Sequence, residues 1–217
     1  IMDGNGRWGI KNKNSRNKGH KQGLVTIEKI IKTTIKKKIK FLTLYAFSTE
    51  NWKRPIKEIE FLFRLLENFL IKKIDELNSK DIKFKAIGSR KLLPKKLLKV
   101  IENSEHITKK NNLLQINLAL NYGSKDEITS SIELIKKKKI AITQSNIERN
   151  LFTNDSPDPD LLIRTGKTRR LSNFLLWQLA YSEIYFVKKL WPDFTVRDYN
   201  NILKNFKNLK RNFGAIK

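Results

Sequence analysis

Phe41–Pro55 reads FLTLYAFSTENWKRP. A short apolar run stops at Ser48 and gives way to hydroxyls, an acid, an amide, a tryptophan and two cations. An apolar run of this length suits a strand buried on both faces, as in a parallel sheet. The polar cluster then stands beyond the strand's carboxyl end. The juxtaposition recurs: Asp3-Gly4-Asn5 follows a stump ending at Met2, Asn121-Tyr122-Gly123 follows Leu114–Leu120 (LQINLAL), and Arg164-Thr165-Gly166 follows Leu161–Ile163 (LLI). In open parallel sheets ligands bind beyond the carboxyl ends of the strands. Four such clusters therefore predict one active-site rim.

Two further runs, Ile82–Ile87 (IKFKAI) and Ile184–Val187 (IYFV), complete a set of six strands. Helical patterns lie between them at Gly23–Lys38, Ile56–Leu77, Pro94–Lys109, Lys125–Lys138, Asn173–Tyr181 and Val196–Asn208. The second carries Ile59, Leu62, Phe63, Leu66, Phe69, Leu70 and Ile74 at helical spacing. Strands alternating with helices predict an α/β fold, a central and mostly parallel six-stranded sheet flanked by helices. With 217 residues and no linker or internal repeat, residues 1–217 are expected to form one domain.

The chain has no cysteine, which excludes disulfides and thiol catalysis, and its two histidines cannot build a His-rich metal site. The longest apolar run, Phe174–Ala180, is far too short to span a membrane. The chain starts at Ile1 without a methionine or signal-peptide pattern, so the expectation is a truncated N-terminus and a cytoplasmic protein. The net charge of +25 raises a nucleic-acid-binding alternative. Yet 35 of the 46 basic residues are scattered lysines rather than the arginines that grip phosphate bidentately. No nucleic-acid partner is expected; a basic surface would also attract anionic lipid headgroups.

Gly4, Gly6 and Gly9 spell G-x-G-x-x-G. The dinucleotide fingerprint needs a helix opening within the motif, whereas Gly9 is followed by the polar, basic and flexible-looking IKNKNSRNKGHKQG. Asp3 would also face pyrophosphate directly, so the match is read as accidental. Arg7, Arg16, His20, Arg54, Arg164, Arg170 and Ser172, with glycine-exposed amides, are groups that hold phosphate oxygens. An acid among arginines, without a nucleophilic triad, suggests diphosphate chemistry assisted by Mg²⁺. An unusually apolar helix nearby suits a lipid diphosphate.

Five ordered motifs carry a resemblance: MDGNGRW (Met2–Trp8), the Arg16, Gly19, His20, Gly23 pattern, FSTENWKRP (Phe47–Pro55), NLALNYG (Asn117–Gly123) and the stretch from DLLIRTG to SEIYF (Asp160–Phe186). They closely resemble the cis-prenyltransferases, and among these the bacterial undecaprenyl diphosphate synthases, from Met2 to Gly214. The resemblance implies a homodimer with a hydrophobic tunnel that condenses isopentenyl diphosphate repeatedly onto farnesyl diphosphate. The long-chain product would carry cell-wall precursors, with peripheral membrane contact for its release. By the resemblance, Asp3 is the catalytic aspartate serving Mg²⁺ and Asn51 lies near the reacting centre beside Ser48, with Trp8 and Trp52 flanking it. Gly4, Asn5, Gly6, Arg7, Arg16 and His20 match the allylic diphosphate site; Arg54, Arg164, Arg170 and Ser172 match the isopentenyl diphosphate site; Glu183 matches a magnesium-linked carboxylate near the dimer interface.

Strand alternation places Leu42, Leu44 and Ala46 on one face of Phe41–Phe47, with Phe41, Thr43, Tyr45 and Phe47 on the other. Ala46, opposite Leu62, Leu66 and Phe69, is expected to line the tunnel. Three places depart from the family pattern. Ser124-Lys125 replaces Gly-Arg after Gly123, Lys167-Thr168 replaces a small residue and an acid, and Asn212 replaces an arginine. The alternatives are a non-catalytic partner subunit, which should lack the first motif, and the nucleic-acid-binding protein, which leaves Asp3 unexplained.

Overall fold

The computed structural model describes residues 1–211, so the tail departure at Asn212 lies outside the described residues. In chain order they form α1 (Asn5–Lys13), α2 (Arg16–Lys36), β1 (Phe41–Ser48), α3 (Ile56–Ser79), β2 (Ile82–Ile87) and α4 (Lys95–Thr108). There follow β3 (Leu114–Tyr122), α5 (Ser124–Lys137), α6 (Gln144–Glu148), β4 (Leu161–Arg164), β5 (Glu183–Phe186) and α7 (Val196–Lys207). Short 3₁₀ turns occupy Thr49–Lys53 and Trp191–Asp193. Two compact units result among the described residues: residues 1–33 with 158–170 and 177–211, and residues 34–157 with 171–176.

In the second unit, β1 and β2 both pair in parallel with β3, giving the order β1-β3-β2. β3 is buried along its whole length, as a central strand covered on both faces must be. Its buried amides, Gln115 and Asn117, bond to each other at 2.9 Å and both bond to Ser156 Oγ. Ile59, Phe63, Leu70, Ile74 and Leu77 of α3 form the buried stripe of a core helix. Each such side chain contributes about 1.5–3 kcal/mol on burial.

β1 carries the first surprise. Its register against β3 slips between Tyr45 and Phe47, so Ala46 is the extra residue of a bulge. The bulge breaks the expected alternation. Phe47 turns inward, 2% exposed, to meet Phe63 of α3 (ring centroids 5.0 Å apart) and Trp52 (5.3 Å). Ala46 is left exposed.

In the first unit, β4 and β5 pair in parallel from Leu161↔Glu183 to Arg164↔Phe186. Ile1 sits against the other edge of β4: its N donates to Ile163 O at 2.7 Å, and Thr165 N donates to its carbonyl at 3.2 Å. That is one rung of a parallel ladder, cut off by the turn at Asp3.

Among the described residues the sheets thus number three and two strands, not the expected six in one sheet. The stump ending at Met2 contributes one rung, too little for a strand. The polar Ile10–Gly23 stretch is helical rather than flexible, held in α1 and the first turns of α2 by close packing of small residues. A Cβ on Gly9 would lie 2.2 Å from Ser15 O, and one on Gly19 would lie 2.0 Å from Asn5 O. The expected helix over Asn173–Tyr181 is a run of turns, because Ser172, Asn173 and Leu175 adopt left-handed backbones (φ 53°, 60° and 45°) that no helix accommodates.

Candidate active site

The residues expected at the site fall into two groups, one in each unit. In the first unit Asp3 is fastened on every side. Its N–H donates to Thr165 Oγ1 (3.1 Å), and its carbonyl accepts from Thr165 Oγ1 (2.9 Å) and from Trp191 N (3.0 Å). Its carboxylate is shared between two arginines: Arg7 Nη2 reaches Oδ1 and Arg164 Nη2 reaches Oδ2, each at 3.0 Å. Arg7 is half exposed, whereas Arg164 is 4% exposed and also donates through Nη1 to Arg170 O. Arg164 therefore holds both the catalytic candidate and the segment leading to Arg170.

Glycine makes this crowding possible. Gly166 has φ 96°, and a Cβ there would lie 2.7 Å from Arg7 Nη2 and 2.8 Å from Asp3 Cγ. Gly4, at φ 107°, is the left-handed N-cap of α1 and would meet Leu190 at 2.7 Å. A Cβ on Gly6 would strike the Arg16 guanidinium at 2.7 Å. The first turn of α1 carries no acidic side chain, so its N–H groups and the adjoining arginines favour an anion. Asn5 donates to Met2 O at 3.2 Å, and a Cβ on Gly23 would reach to 2.3 Å from its Oδ1. Trp8 donates to Asp193 Oδ1 at 2.6 Å, tying α1 to the Trp191–Asp193 turn. His20 is half-buried in α2, one residue past the close approach at Gly19.

Helix α1 opens inside the Gly4/Gly6/Gly9 motif, so the absence of a helix does not distinguish it from the dinucleotide fingerprint. Its helix is short and polar, and the glycines make room for Arg16 and for the start of α2.

Glu183 does not join Asp3. It is the first residue of β5, level with Leu161, while Asp3 is bonded to Arg164 at the far end of β4. Three strand residues separate the two levels, roughly 10 Å. No group of three His, Cys, Asp or Glu among the described residues could cage a metal ion. A lone carboxylate flanked by guanidiniums fits Mg²⁺ of one kind only, an ion that shares its coordination with diphosphate oxygens.

In the second unit the Thr49–Lys53 turn carries Asn51 and Trp52. Ser48 N donates to Asn51 Oδ1 at 3.2 Å, closing the head of the turn. Trp52 Nε1 donates to Asn121 Oδ1 at 2.8 Å, and Asn121 in turn donates to Ser89 O and Lys91 O. Arg54 Nη1 lies 3.4 Å from the buried Glu58 carboxylate. Ser172 is exposed and presents its carbonyl to the Tyr45 hydroxyl at 3.4 Å. Leu62, Leu66 and Phe69 form a half-buried stripe on α3, beside the fully buried one.

The sequence puts Asn121 on the expected rim without a role for it and gives no sign of Asn173. Both have left-handed backbones, a conformation for which asparagine is enriched, and each borders an apolar run, Asn121 after Leu114–Leu120 and Asn173 before Phe174–Ala180. Asparagine at such a break is the signal that could have found them.

A parallel α/β chain in which the partly exposed Asp3 carboxylate is gripped by two arginines beside a helix N-terminus is built to handle an anion such as a diphosphate. Residues 1–214 match the prenyltransferase family described as undecaprenyl diphosphate synthase. The isoprenyl transferase of Thermotoga maritima is 42% identical over all of this chain and 95% of its own length; that of Wolinella succinogenes is 45% identical with the same coverage. A probable undecaprenyl diphosphate synthase from Campylobacter jejuni superposes with a TM-score of 0.83 at 40% identity, over 90% of this chain and 93% of that one. Lavandulyl diphosphate synthase from Lavandula x intermedia, solved with dimethylallyl diphosphate, superposes with a TM-score of 0.94 at 34% identity, over 99% and 96%. The chain belongs to the undecaprenyl diphosphate synthase family, and its activity is that of a cis-prenyltransferase.

Proposed function

We propose that the chain condenses isopentenyl diphosphate repeatedly onto farnesyl diphosphate, giving a long-chain product of the undecaprenyl diphosphate type for cell-wall lipid-carrier synthesis. The observation that carries this is the Asp3 carboxylate held between Arg7 and Arg164 at the head of α1. A diphosphate leaving an allylic carbon takes the bonding electrons with it, and cations with N–H donors stabilise the charge that develops. Arg7, Arg16, His20 and the amides of Asn5 and Gly6 bind that diphosphate. Asp3 is the residue that would hold Mg²⁺ there with the diphosphate oxygens, and the metal supplies further charge neutralisation when bound. The Lavandula relative solved with dimethylallyl diphosphate supports an allylic diphosphate as first substrate.

Arg54, Arg170 and Ser172 bind isopentenyl diphosphate, with Asn51, Ser48, Trp8 and Trp52 near the reacting ends. Arg164 acts through Asp3 and the Arg170 segment. Ala46, Leu62, Leu66 and Phe69 line the path of the growing chain; the exposed alanine and half-buried stripe on α3 support this. The family match across residues 1–214 supports one catalytic domain. It works as a homodimer, with Glu183 near the subunit interface as a magnesium-linked carboxylate apart from Asp3. The protein acts in the cytoplasm and meets the inner face of the membrane to release product; no described helix is long and apolar enough to cross one.

Incubation with farnesyl diphosphate, labelled isopentenyl diphosphate and Mg²⁺ should yield butanol-extractable label in a ladder ending near eleven isoprene units. No extractable label overturns the proposal, and label stopping after a single condensation overturns the repeated addition.

A further inference from the structure

Leu171–Leu176 has three left-handed residues among six, none of them glycine. Such a segment keeps its shape only if its surroundings impose it. The imposed contacts centre on Asn173. Its carbonyl accepts from Ser124 N (2.8 Å) and its Oδ1 accepts from Lys125 N (2.9 Å), fastening it to the first turn of α5. Leu176 N adds a bond to Ser124 Oγ (2.9 Å), and Phe174 stacks on Tyr45 with centroids 4.3 Å apart.

One side-chain group of Asn173 is not used in that anchoring. Its Nδ2 donates to Glu50 Oε1 at 2.9 Å. The amide orientation is unambiguous, because Lys125 N–H can only donate and the Glu50 carboxylate can only accept. Glu50 belongs to the Thr49–Lys53 turn that carries Asn51 and Trp52 and runs into Arg54. Gly123 independently marks the bond: a Cβ there would lie 2.7 Å from Asn173 Nδ2 and 2.6 Å from Thr49 Oγ1. Any larger residue would push the turn and the segment apart. Burial would raise the Glu50 carboxyl, but the Asn173 amide and the hydroxyls of Ser48 and Thr49 bring it below its ordinary value.

We propose that Asn173 is a positioning residue, a latch that holds the Thr49–Lys53 turn to the Ser172 segment through Glu50. It thereby sets the spacing between the groups that receive isopentenyl diphosphate. This rests on the assignment of Arg54 and Ser172 to that substrate. The anchor to α5 needs only the acceptor Oδ1; the latch needs the donor Nδ2. The two functions are therefore separable.

Asn173→Asp keeps the acceptor and suits the left-handed backbone, but sets a carboxylate against Glu50. It should raise KM for isopentenyl diphosphate about tenfold, the effect of one charge-assisted hydrogen bond. KM for farnesyl diphosphate and the melting temperature should hold. Hydrogen exchange of the Ser48–Arg54 amides should quicken. Adding Glu50→Gln restores a donor–acceptor pair of reversed polarity and should return both KM and exchange to near wild type. Unchanged exchange in Asn173→Asp, or a double variant no better than the single, overturns the latch. Changed exchange with an unchanged KM overturns its role in substrate positioning. Wild-type protein that fails to use isopentenyl diphosphate overturns the proposed function instead, and exchange still decides the latch.

Discussion

Arg164 Nη2 stands 3.0 Å from Asp3 Oδ2, the guanidinium 4% exposed and the carboxylate 29% exposed. A buried cation thus holds a carboxylate that still faces outward. From sequence, Arg164 and Arg170 look like equivalent phosphate ligands. The structure gives them different surroundings: Arg164 is buried, with Nη2 on Asp3 and Nη1 on Arg170 O, while Arg170 is exposed.

Asp3→Asn should remove the charge that serves the reaction while keeping the shape and one hydrogen-bond acceptor. Turnover should fall by about 10²-fold or more, with KM values little changed, as for a group that acts mainly in the transition state. Circular dichroism should confirm a folded chain. An Asp3→Asn variant that retains most of its turnover rules Asp3 out as the catalytic group.

Arg164→Ala and Arg170→Ala should behave differently. Removing Arg164 leaves Asp3 without its buried partner and frees the loop to Arg170. The loss for a buried pair is about 3–5 kcal/mol, an upper range because Asp3 is partly solvated. A melting temperature lower by roughly 5–10 °C follows, together with a lower kcat. Arg170→Ala should leave stability unchanged and raise KM for isopentenyl diphosphate about tenfold. Identical kinetic and thermal profiles for the two variants would contradict the division of roles.

Gly166→Ala tests the crowding directly. The methyl group meets Arg7 and Asp3 below 3 Å on a left-handed backbone, a conformation costing about 1–2 kcal/mol without glycine. Both kcat and melting temperature should drop. Wild-type kcat in this variant would show that the Asp3–Arg7 geometry tolerates displacement.

EDTA should abolish turnover without lowering the melting temperature, and Mg²⁺ should restore it. The reason is the donor set: one carboxylate between arginines is too few ligands to hold an ion without diphosphate, so the fold should not lean on it. A melting temperature that falls with EDTA would reveal a cage elsewhere.

The strands are legible because their signal is local: five apolar runs fall within a residue or two of β1 to β5. What misleads are features set by tertiary packing. Gly9 and Gly19 let α1 and α2 approach backbone to backbone, so a polar, basic stretch becomes helical. Phe174–Ala180 has helix-like apolarity, yet Asn173 and its neighbours are locked left-handed by bonds to α5. The bulge at Ala46 leaves no trace in an alternating pattern, since the slip between Tyr45 and Phe47 is taken back between Phe47 and Ser48, where Ser48 pairs with Tyr122. The site is legible in its charged members and in Asn5 and Asn51, and opaque at Asn173, whose bonds to α5 and Glu50 depend on partners distant in sequence.

Ala46 gives the last prediction, and the bulge changes its basis. Its methyl group does not continue the row of Leu42 and Leu44; it is exposed at the step where Phe47 turns inward to Phe63. A larger side chain there displaces no core atom, so Ala46→Leu should fold with an unchanged melting temperature. If Leu62, Leu66 and Phe69 form the other wall, the added isobutyl group narrows the path of the growing chain. The first condensations should keep their rate, later ones should slow, and shorter prenyl diphosphates should accumulate. Thin-layer or mass-spectrometric profiling of the ladder reads this directly. A ladder identical to wild type at comparable activity would place the growing chain elsewhere, away from the bulge of β1.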